Sequence, residues 1–284
     1  MMRPDASRPM DSIEGKWALV TGASSGFGVE FATLLAEQHA NLIVVARHAD
    51  ALEQLAERLR SRYGVRVLVE ALDLSVASAA TTLKHRLDLQ GIAVDILVNN
   101  AGYGLFGEFV EQPLSRTLNM LQLNVLAVTE LTRVFAADMV RSGSGHILMI
   151  ASLLGFQGVP GYAAYAASKA YVLHFGEALH EELRSHGVTV TVLAPGASAT
   201  GFADVAHQRD TGSLRALMMQ PRPVARTGIA ALLRGRSMVI AGVRNKAIVL
   251  SNRFTPRHLQ RLIMRRVFAG GKSVESRGVD VVER

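Results

Sequence analysis

Short apolar runs rich in Val, Ile and Leu alternate along the chain with longer stretches in which apolar positions recur every three or four residues. The runs predict strands over Lys16–Thr21, Asn41–Ala46, Val65–Glu70, Val94–Val98, His146–Ala151, Val188–Leu193 and Ser237–Ala241. Most are apolar along their whole length, with no strict alternation, which is the pattern of strands covered on both faces. The gaps carry helical periodicity; in Asp50–Tyr63, Leu52, Leu55, Ala56 and Leu59 share one face. Strand and helix in alternation imply βαβ units and a parallel sheet, hence one doubly wound α/β domain. No repeat or low-complexity linker interrupts it. The organisation predicted is a flexible lead over 1–14, a catalytic domain over 15–241 and an extension over 242–284 with no further strand.

Composition narrows the possibilities. Of 284 residues, 49% are hydrophobic and 19% charged, enough apolar surface for a large core and unlike a disordered chain. The absence of Cys excludes disulfides, thiol nucleophiles and thiolate metal sites. No run of about 18 apolar residues is present, so a membrane-spanning helix is not expected. The first residues lack the apolar stretch of a secretory signal, and a cytoplasmic location is expected. The net charge of +7 is unevenly placed: residues 222–284 hold 14 Lys and Arg against 3 Asp and Glu, whereas residues 1–221 hold 17 against 21. The nine His residues are scattered without metal-ligand spacing, so no metal is expected.

Three constellations carry chemistry. The first predicted strand ends in Thr21-Gly22-Ala23-Ser24-Ser25-Gly26-Phe27-Gly28, directly before a helical stretch. Glycines there let the backbone turn sharply and approach a pyrophosphate, to which the helix N-terminus offers N–H groups. Tight strand-to-helix turns also use glycine for steric reasons alone, so the turn by itself decides little. The second strand ends in Ala46-Arg47-His48, where an NAD-preferring fold would carry Asp or Glu for the ribose hydroxyls. A guanidinium there suits a 2′-phosphate, which predicts NADP(H) over NAD(H). Finally, Tyr165-Ala166-Ala167-Ser168-Lys169 puts Tyr165 and Lys169 four apart on one helical face, with Ser152 at the end of the fifth strand. An ammonium beside a phenol is expected to lower the phenol pKa and suit it to proton transfer with a carbonyl or alcohol.

With these motifs the chain resembles the short-chain dehydrogenase/reductase family over residues 16–241, in an NADP-preferring form with a basic C-terminal extension. Asp73-Leu74, Asn99-Asn100-Ala101-Gly102, Asn124, Pro195-Gly196 and Thr200 extend the resemblance in order along the chain. It implies a Rossmann domain whose seven-stranded parallel sheet runs 3-2-1-4-5-6-7, with helices on both faces. It further implies Tyr165 as catalytic acid/base, Lys169 as the residue that lowers its pKa and binds the nicotinamide ribose, and Ser152 as the group that hydrogen-bonds the substrate oxygen. Asn124 would hold a water linking Lys169 to solvent. Around the cofactor the resemblance places Gly22, Ser24, Ser25, Gly26, Phe27, Gly28 and Arg47. Ser24 or Arg47 would receive the 2′-phosphate, Asp73 and Leu74 would meet the adenine, Asn100 and Gly102 the adenine-side ribose region, and Pro195, Gly196 and Thr200 the nicotinamide. Asn99 and Ala101 would brace the sheet and line the cofactor. The family often forms homodimers or homotetramers through the helices corresponding to Pro113–Arg141 and Tyr162–His186.

On the substrate side the residues expected at the reacting carbonyl are Tyr103, Leu154, Phe156, Tyr162 and Phe202 beside Ser152, with Leu105, Phe106 and Leu153 near by and Leu217, Met218 and Met219 further out. They are mainly apolar, which predicts a hydrophobic ketone, aldehyde or secondary alcohol. In the extension, Thr255–Phe268 places Leu259, Leu262, Ile263 and Val267 on one face and Arg257, Arg261 and Arg265 on the other. Packing over the domain or a dimer partner is the leading reading, with peripheral contact at an anionic inner membrane surface second. No nucleic-acid-reading motif accompanies the charge, so nucleic acid is not an expected partner. Residues 270–284 are expected to be disordered. The function predicted is NADP(H)-dependent hydride transfer, with reduction favoured. Its alternatives are NAD-dependent alcohol oxidation and a non-catalytic cofactor-binding regulator.

Overall fold

The computed structural model describes residues 12–200, 206 and 218–268. Phe202 and Leu217, most of the lead and the segment 270–284 lie outside them.

Seven strands form one parallel sheet: β1 (Trp17–Thr21), β2 (Asn41–Ala46), β3 (Val67–Ala71), β4 (Ile96–Asn99), β5 (Gly145–Ile150), β6 (Val188–Ala194) and β7 (Met238–Ile240). Their order is 3-2-1-4-5-6-7 and every neighbouring pair is parallel. β2, β5 and β6 carry runs of buried Val, Ile and Leu because helices cover both faces. On one face pack α1 (Gly26–Ala36), α2 (Ala49–Tyr63) and α7 (Pro221–Leu233), around Phe31, Leu55 and Ile229. The other face takes α3 (Ala79–Leu89), α5 (Val128–Ser142) and α6 (Ala163–Arg184), around Leu83, Phe135 and Val172, while α4 (Leu114–Leu121) packs beside α6 through Met120. Among the described residues, no helix is long and apolar enough to cross a membrane.

Helices α4 and α5 are one continuous rod interrupted by a π-helical turn over Gln122–Ala127. Such turns hold one residue more than an α-turn and bulge the rod locally. Asn124 sits inside it and is fully buried. After β7 the chain continues as two helices, α8 (Val243–Asn252) and α9 (Arg257–Phe268), that fold back over the C-terminal edge of the sheet. The sequence pattern anticipated α9 but not α8.

β5 also buries an imidazole. His146 is almost fully covered, its Nδ1 has no hydrogen-bond partner, and burial pushes its pKa down to about 4. The unfolded chain takes up this proton near pH ~6.5, so folding stability is present above that value and is lost as pH falls towards 4. The loss amounts to about 3 kcal/mol at most. In urea unfolding, His146→Val should match or exceed the wild type at pH 7 and lose less between pH 6.5 and 4. Parallel pH profiles for the two proteins would show that the imidazole takes up its proton as readily in the folded chain.

Candidate active site

Parallel strands end on one edge, and the helices that follow start there, so loops at that edge converge on a crevice where the strand order reverses, between β1 and β4. A cleft of about 1090 Å³ occupies this position. Gly22, Ser24, Ser25, Gly26 and Phe27 line it after β1, Arg47 after β2, Asp73 and Leu74 after β3, and Asn100, Ala101 and Gly102 after β4. Ser152 and Leu154 enter after β5, Tyr165 and Lys169 from α6, and Pro195, Gly196 and Thr200 after β6.

The glycine-rich turn is built by geometry only glycine tolerates. Gly22 and Gly26 adopt φ of 66° and 53°, in the left-handed region. Asn100 locks the turn to the end of β4: its Nδ2 donates to the Thr21 carbonyl at 2.8 Å, while its backbone N–H donates to Thr21 Oγ1 at 2.9 Å. Gly28 does not line the cleft. It lies beneath the turn, where a Cβ would come within 2.0 Å of the Gly22 carbonyl oxygen. The first turn of α1 therefore packs directly on the end of β1, leaving its N–H groups facing the cleft as an anion site. A cradle of this shape, without side chains between backbone and cleft, fits a pyrophosphate.

Arg47 is exposed at the rim and no acidic side chain stands at the end of β2. It acts on Asp73, whose carboxylate accepts from the Ser75 N–H at 2.9 Å and from Ser75 Oγ at 2.7 Å. Burial works to raise the Asp73 pKa, but these hydrogen bonds and the Arg47 charge outweigh it and hold the carboxyl below its usual range. Asn119 Nδ2 donates to Ser75 Oγ, and Tyr103 Oη lies 2.9 Å from Asn119 Oδ1. Tyr103 thus lines the cleft with its hydroxyl turned towards α4.

Ser152 caps the short helical turn Leu153–Phe156, its Oγ accepting from the Leu154 N–H at 3.2 Å. Its hydroxyl also hydrogen-bonds the Tyr165 phenol, so two hydroxyls converge at one point of the cleft. Lys169 Nζ donates to the Ile150 carbonyl at 2.9 Å and lies 5.9 Å from the centroid of the Tyr165 ring. The expected lowering of the phenol pKa is not found. Burial pushes Tyr165 up to about 12 and Lys169 down to about 8, because at this separation the pair returns less than each loses in leaving water. The phenol is held protonated. Asn124 is held in place by its side chain. Its Oδ1 accepts from the Tyr103 N–H at 3.1 Å, and its Nδ2 donates to the Tyr103 carbonyl and to Ser168 Oγ. Both amide hydrogens are spent tying the π-turn to the loop after β4. Gly102 passes between: a Cβ there would meet Asn124 Oδ1 at 2.7 Å.

At the far end the cleft turns apolar. Tyr162 lines it and joins Leu105, Met120, Val159 and Tyr165 in a separate cluster. Phe268 of α9 closes on that cluster, its ring 5.4 Å from Tyr162 and 6.3 Å from Phe106. Phe156 does not line the cleft; it packs against the core beneath α6. The extension supplies lining that the sequence pattern did not reveal: Asn245, Ile248 and Val249 from α8, and Gln260, Ile263, Met264, Val267 and Phe268 from α9. Gln260, the most buried residue of α9, donates from Nε2 to the carbonyls of Asn252 and Thr255, both at 2.7 Å, and so pins the two helices together. Among the described residues, no cluster of His, Cys, Asp or Glu could hold a metal ion.

A doubly wound sheet with an anion-binding first turn, and a hydroxyl pair beside a buried lysine, define the class: oxidoreductases that work with a nicotinamide dinucleotide. The family model for short chain dehydrogenase matches residues 16–210, and the chain belongs to that family. It is similar to the ketoacyl reductase HetN of Nostoc sp., 32% identical over 232 residues that cover 81% of this chain and 80% of that protein. It is also similar to the very-long-chain 3-oxoacyl-CoA reductase of Mus musculus, 34% identical over 195 residues. That match covers 67% of this chain and 62% of the mouse protein, so the chain spans less than two thirds of the length of that relative. Among solved structures it resembles a short-chain dehydrogenase from Sphingobium yanoikuyae in complex with NADPH. The TM-score is 0.75 at 28% identity, over 95% of this chain and 100% of the other.

Proposed function

We propose that the protein is an NADP(H)-dependent reductase of ketones carried on long apolar molecules, 3-oxoacyl chains among them. The observation that carries this reading is the polarity of the cleft: an anion cradle and Arg47 at one end, an apolar chamber at the other, and a hydroxyl pair between them. The names of the relatives, a ketoacyl and a very-long-chain 3-oxoacyl-CoA reductase, and the NADPH of the structural neighbour support it.

The bound dinucleotide would supply a hydride equivalent to the carbonyl carbon. The protein contributes the rest. The α1 N-terminus and the Gly22–Gly28 turn would hold the pyrophosphate, and Arg47 the 2′-phosphate. A carbonyl oxygen seated between Ser152 and Tyr165 would accept a hydrogen bond from each. Tyr165, protonated at neutral pH, would transfer its proton to that oxygen as negative charge develops there. The Lys169 ammonium behind the ring stabilises the phenolate that remains until solvent returns the proton. Tyr162, Ile263, Met264 and Phe268 exclude water from the reacting carbon and bury the alkyl part of the substrate. Assembly through the exposed apolar side chains of α4 and the π-turn, Leu114, Leu118 and Leu126, would give the homodimer or homotetramer expected from the resemblance.

The test is a fluorescence titration of NADPH and NADH at fixed salt. Wild type should prefer NADPH, and Arg47→Ala should weaken NADPH by ~10-fold or more while leaving NADH unchanged, the loss of one charge-assisted contact to phosphate. Equal affinities in the wild type would instead make NAD-dependent oxidation of secondary alcohols the leading reading.

A further inference from the structure

The α8–α9 hairpin has two apolar sides. Met264 and Phe268 face the cleft cluster, and Ile248, Val249, Ile263 and Val267 line the cleft. Away from the cleft, α8 exposes Leu250 near its end and the turn after it exposes Phe254, which is 82% exposed; Val243, equally exposed, stands at the rim of the cleft. α9 exposes Leu259 and Leu262 beside Ile263. Helical spacing gathers the α9 residues into one stripe, and Leu250 and Phe254 form a second at the turn between the two helices. The charge around the stripes has a single sign: residues 242–268 hold seven Lys and Arg and no Asp or Glu. None of the seven forms an ion pair with a described residue. Lys246, Arg253 and Arg266 stand next to the stripes.

We propose that this hairpin is a docking surface for anionic phospholipid bilayers, which it meets with the mouth of the cleft turned towards the lipid. Charge complementarity selects this occupant. A two-fold contact between copies of the chain would set seven cations against seven. An anionic bilayer accepts both the cations, at its phosphates, and the apolar stripes, at the acyl boundary. The exposed apolar side chains near the start of α4 make the contrast clear. Phe109, Val110 and Leu114 lie among Glu108 and Glu111, a mixture suited to a protein surface. Because the helices that would touch lipid also line the apolar chamber, a lipid-dissolved substrate would pass between them without crossing water. Docking stands apart from the reductase reading; delivery of substrate rests on it.

The experiment is co-sedimentation of the full chain with vesicles of phosphatidylcholine alone or mixed with phosphatidylglycerol, at low and high salt. Three proteins are compared: wild type, a charge-reversed Lys246→Glu/Arg253→Glu/Arg266→Glu variant, and a Phe254→Ser/Leu262→Ser variant. None of the five substituted side chains lines the cleft, and thermal melting checks that each variant folds. Wild type should sediment with the anionic vesicles and not with phosphatidylcholine alone. Charge reversal should cut partitioning by ~100-fold or more, and removal of the two apolar side chains by ~10-fold or more. A Phe254→Cys protein carries its only thiol at this face, and an environment-sensitive fluorophore attached there should shift to the blue on vesicle addition. Wild type left in the supernatant overturns the proposal, as does equal partitioning of all three proteins. So does a dimer that buries the fluorophore without lipid. These readouts need no turnover, so failure of docking and failure of the reductase assignment are separable.

Discussion

Tyr165→Phe is expected to lower the turnover of a ketone substrate by ~10³-fold, within the range that general acid catalysis supplies. The substitution removes one oxygen and little else. The Tyr165 ring is held 5.7 Å from that of Tyr162 and packs with Leu105 and Val159, contacts a phenylalanine keeps. What is lost is, among the described residues, the one phenol that holds its proton beside Ser152. The Ser152 hydroxyl would still polarise a carbonyl, but a serine is too weak an acid to replace the phenol. NADPH affinity should change by less than ~3-fold, since the anion cradle and Arg47 are untouched, and stability by about 1 kcal/mol, the worth of one hydrogen bond. Steady-state turnover, NADPH titration and thermal melting read the three quantities. Turnover retained within ~10-fold would move proton donation to Ser152 or solvent, and lost NADPH binding would give the hydroxyl a role in holding the cofactor.

Gly28→Ala is expected to cost at least ~3 kcal/mol and to reduce NADPH binding ~100-fold or more, the upper end of what overpacking produces. The added methyl would stand 2.0 Å from the Gly22 carbonyl oxygen and 2.8 Å from the Ala23 Cα. Both neighbours are backbone, so no rotamer change relieves the clash. Either the first turn of α1 shifts off β1 or the Gly22–Gly26 turn moves outward, and each disperses the N–H groups that make the anion site. Gly64 gives the contrast: it has open space around it and φ of 67°, so alanine there strains only the backbone, at a cost of about 1–2 kcal/mol. Melting temperatures and NADPH titrations of the two variants separate loss of stability from loss of the site. A Gly28→Ala protein that binds NADPH normally would show that the contact between helix and turn does not shape the cradle.

The sheet was legible because buried parallel strands read as continuous Val, Ile and Leu. Boundaries slipped where burial and pairing part company: Val65 and Val94 are buried apolar residues that lead into β3 and β4, yet pairing begins at Val67 and Ile96. The lining of the cleft at its β1–β4 end was legible because each residue there follows a strand. Lys169 misled because the charge argument counted its attraction to the phenol and not the burial of both groups. The roof of the cleft was hidden for another reason. α8 opens on Gly242 with no capping side chain, and its apolar residues lie on two sides. In α9 the periodicity points Leu259 and Leu262 inward, whereas the most buried side chain is Gln260, a polar residue paired with carbonyls. Reading amphipathicity assumes one apolar side and one wet side, and this hairpin has neither alone.

The π-turn at Gln122–Ala127 sets regularity against function within one rod. It carries one residue more than an even α-helix needs to span from α4 to α5. Deleting a residue there would make the helix more regular and, by local hydrogen bonding, better formed. The two flanks would stay nearly in phase, because a π-turn takes up its extra residue as a bulge and not as rotation, but the bulge that carries Asn124 would be gone. Asn124 would then leave Tyr103 and Ser168, and the loop that carries Gly102 past Lys169 would lose its tether. The surplus residue is thus stored as a bulge between two halves of a helix that remain in step: substitutions can be absorbed on either side of it, while losing one residue at the bulge removes the bulge itself.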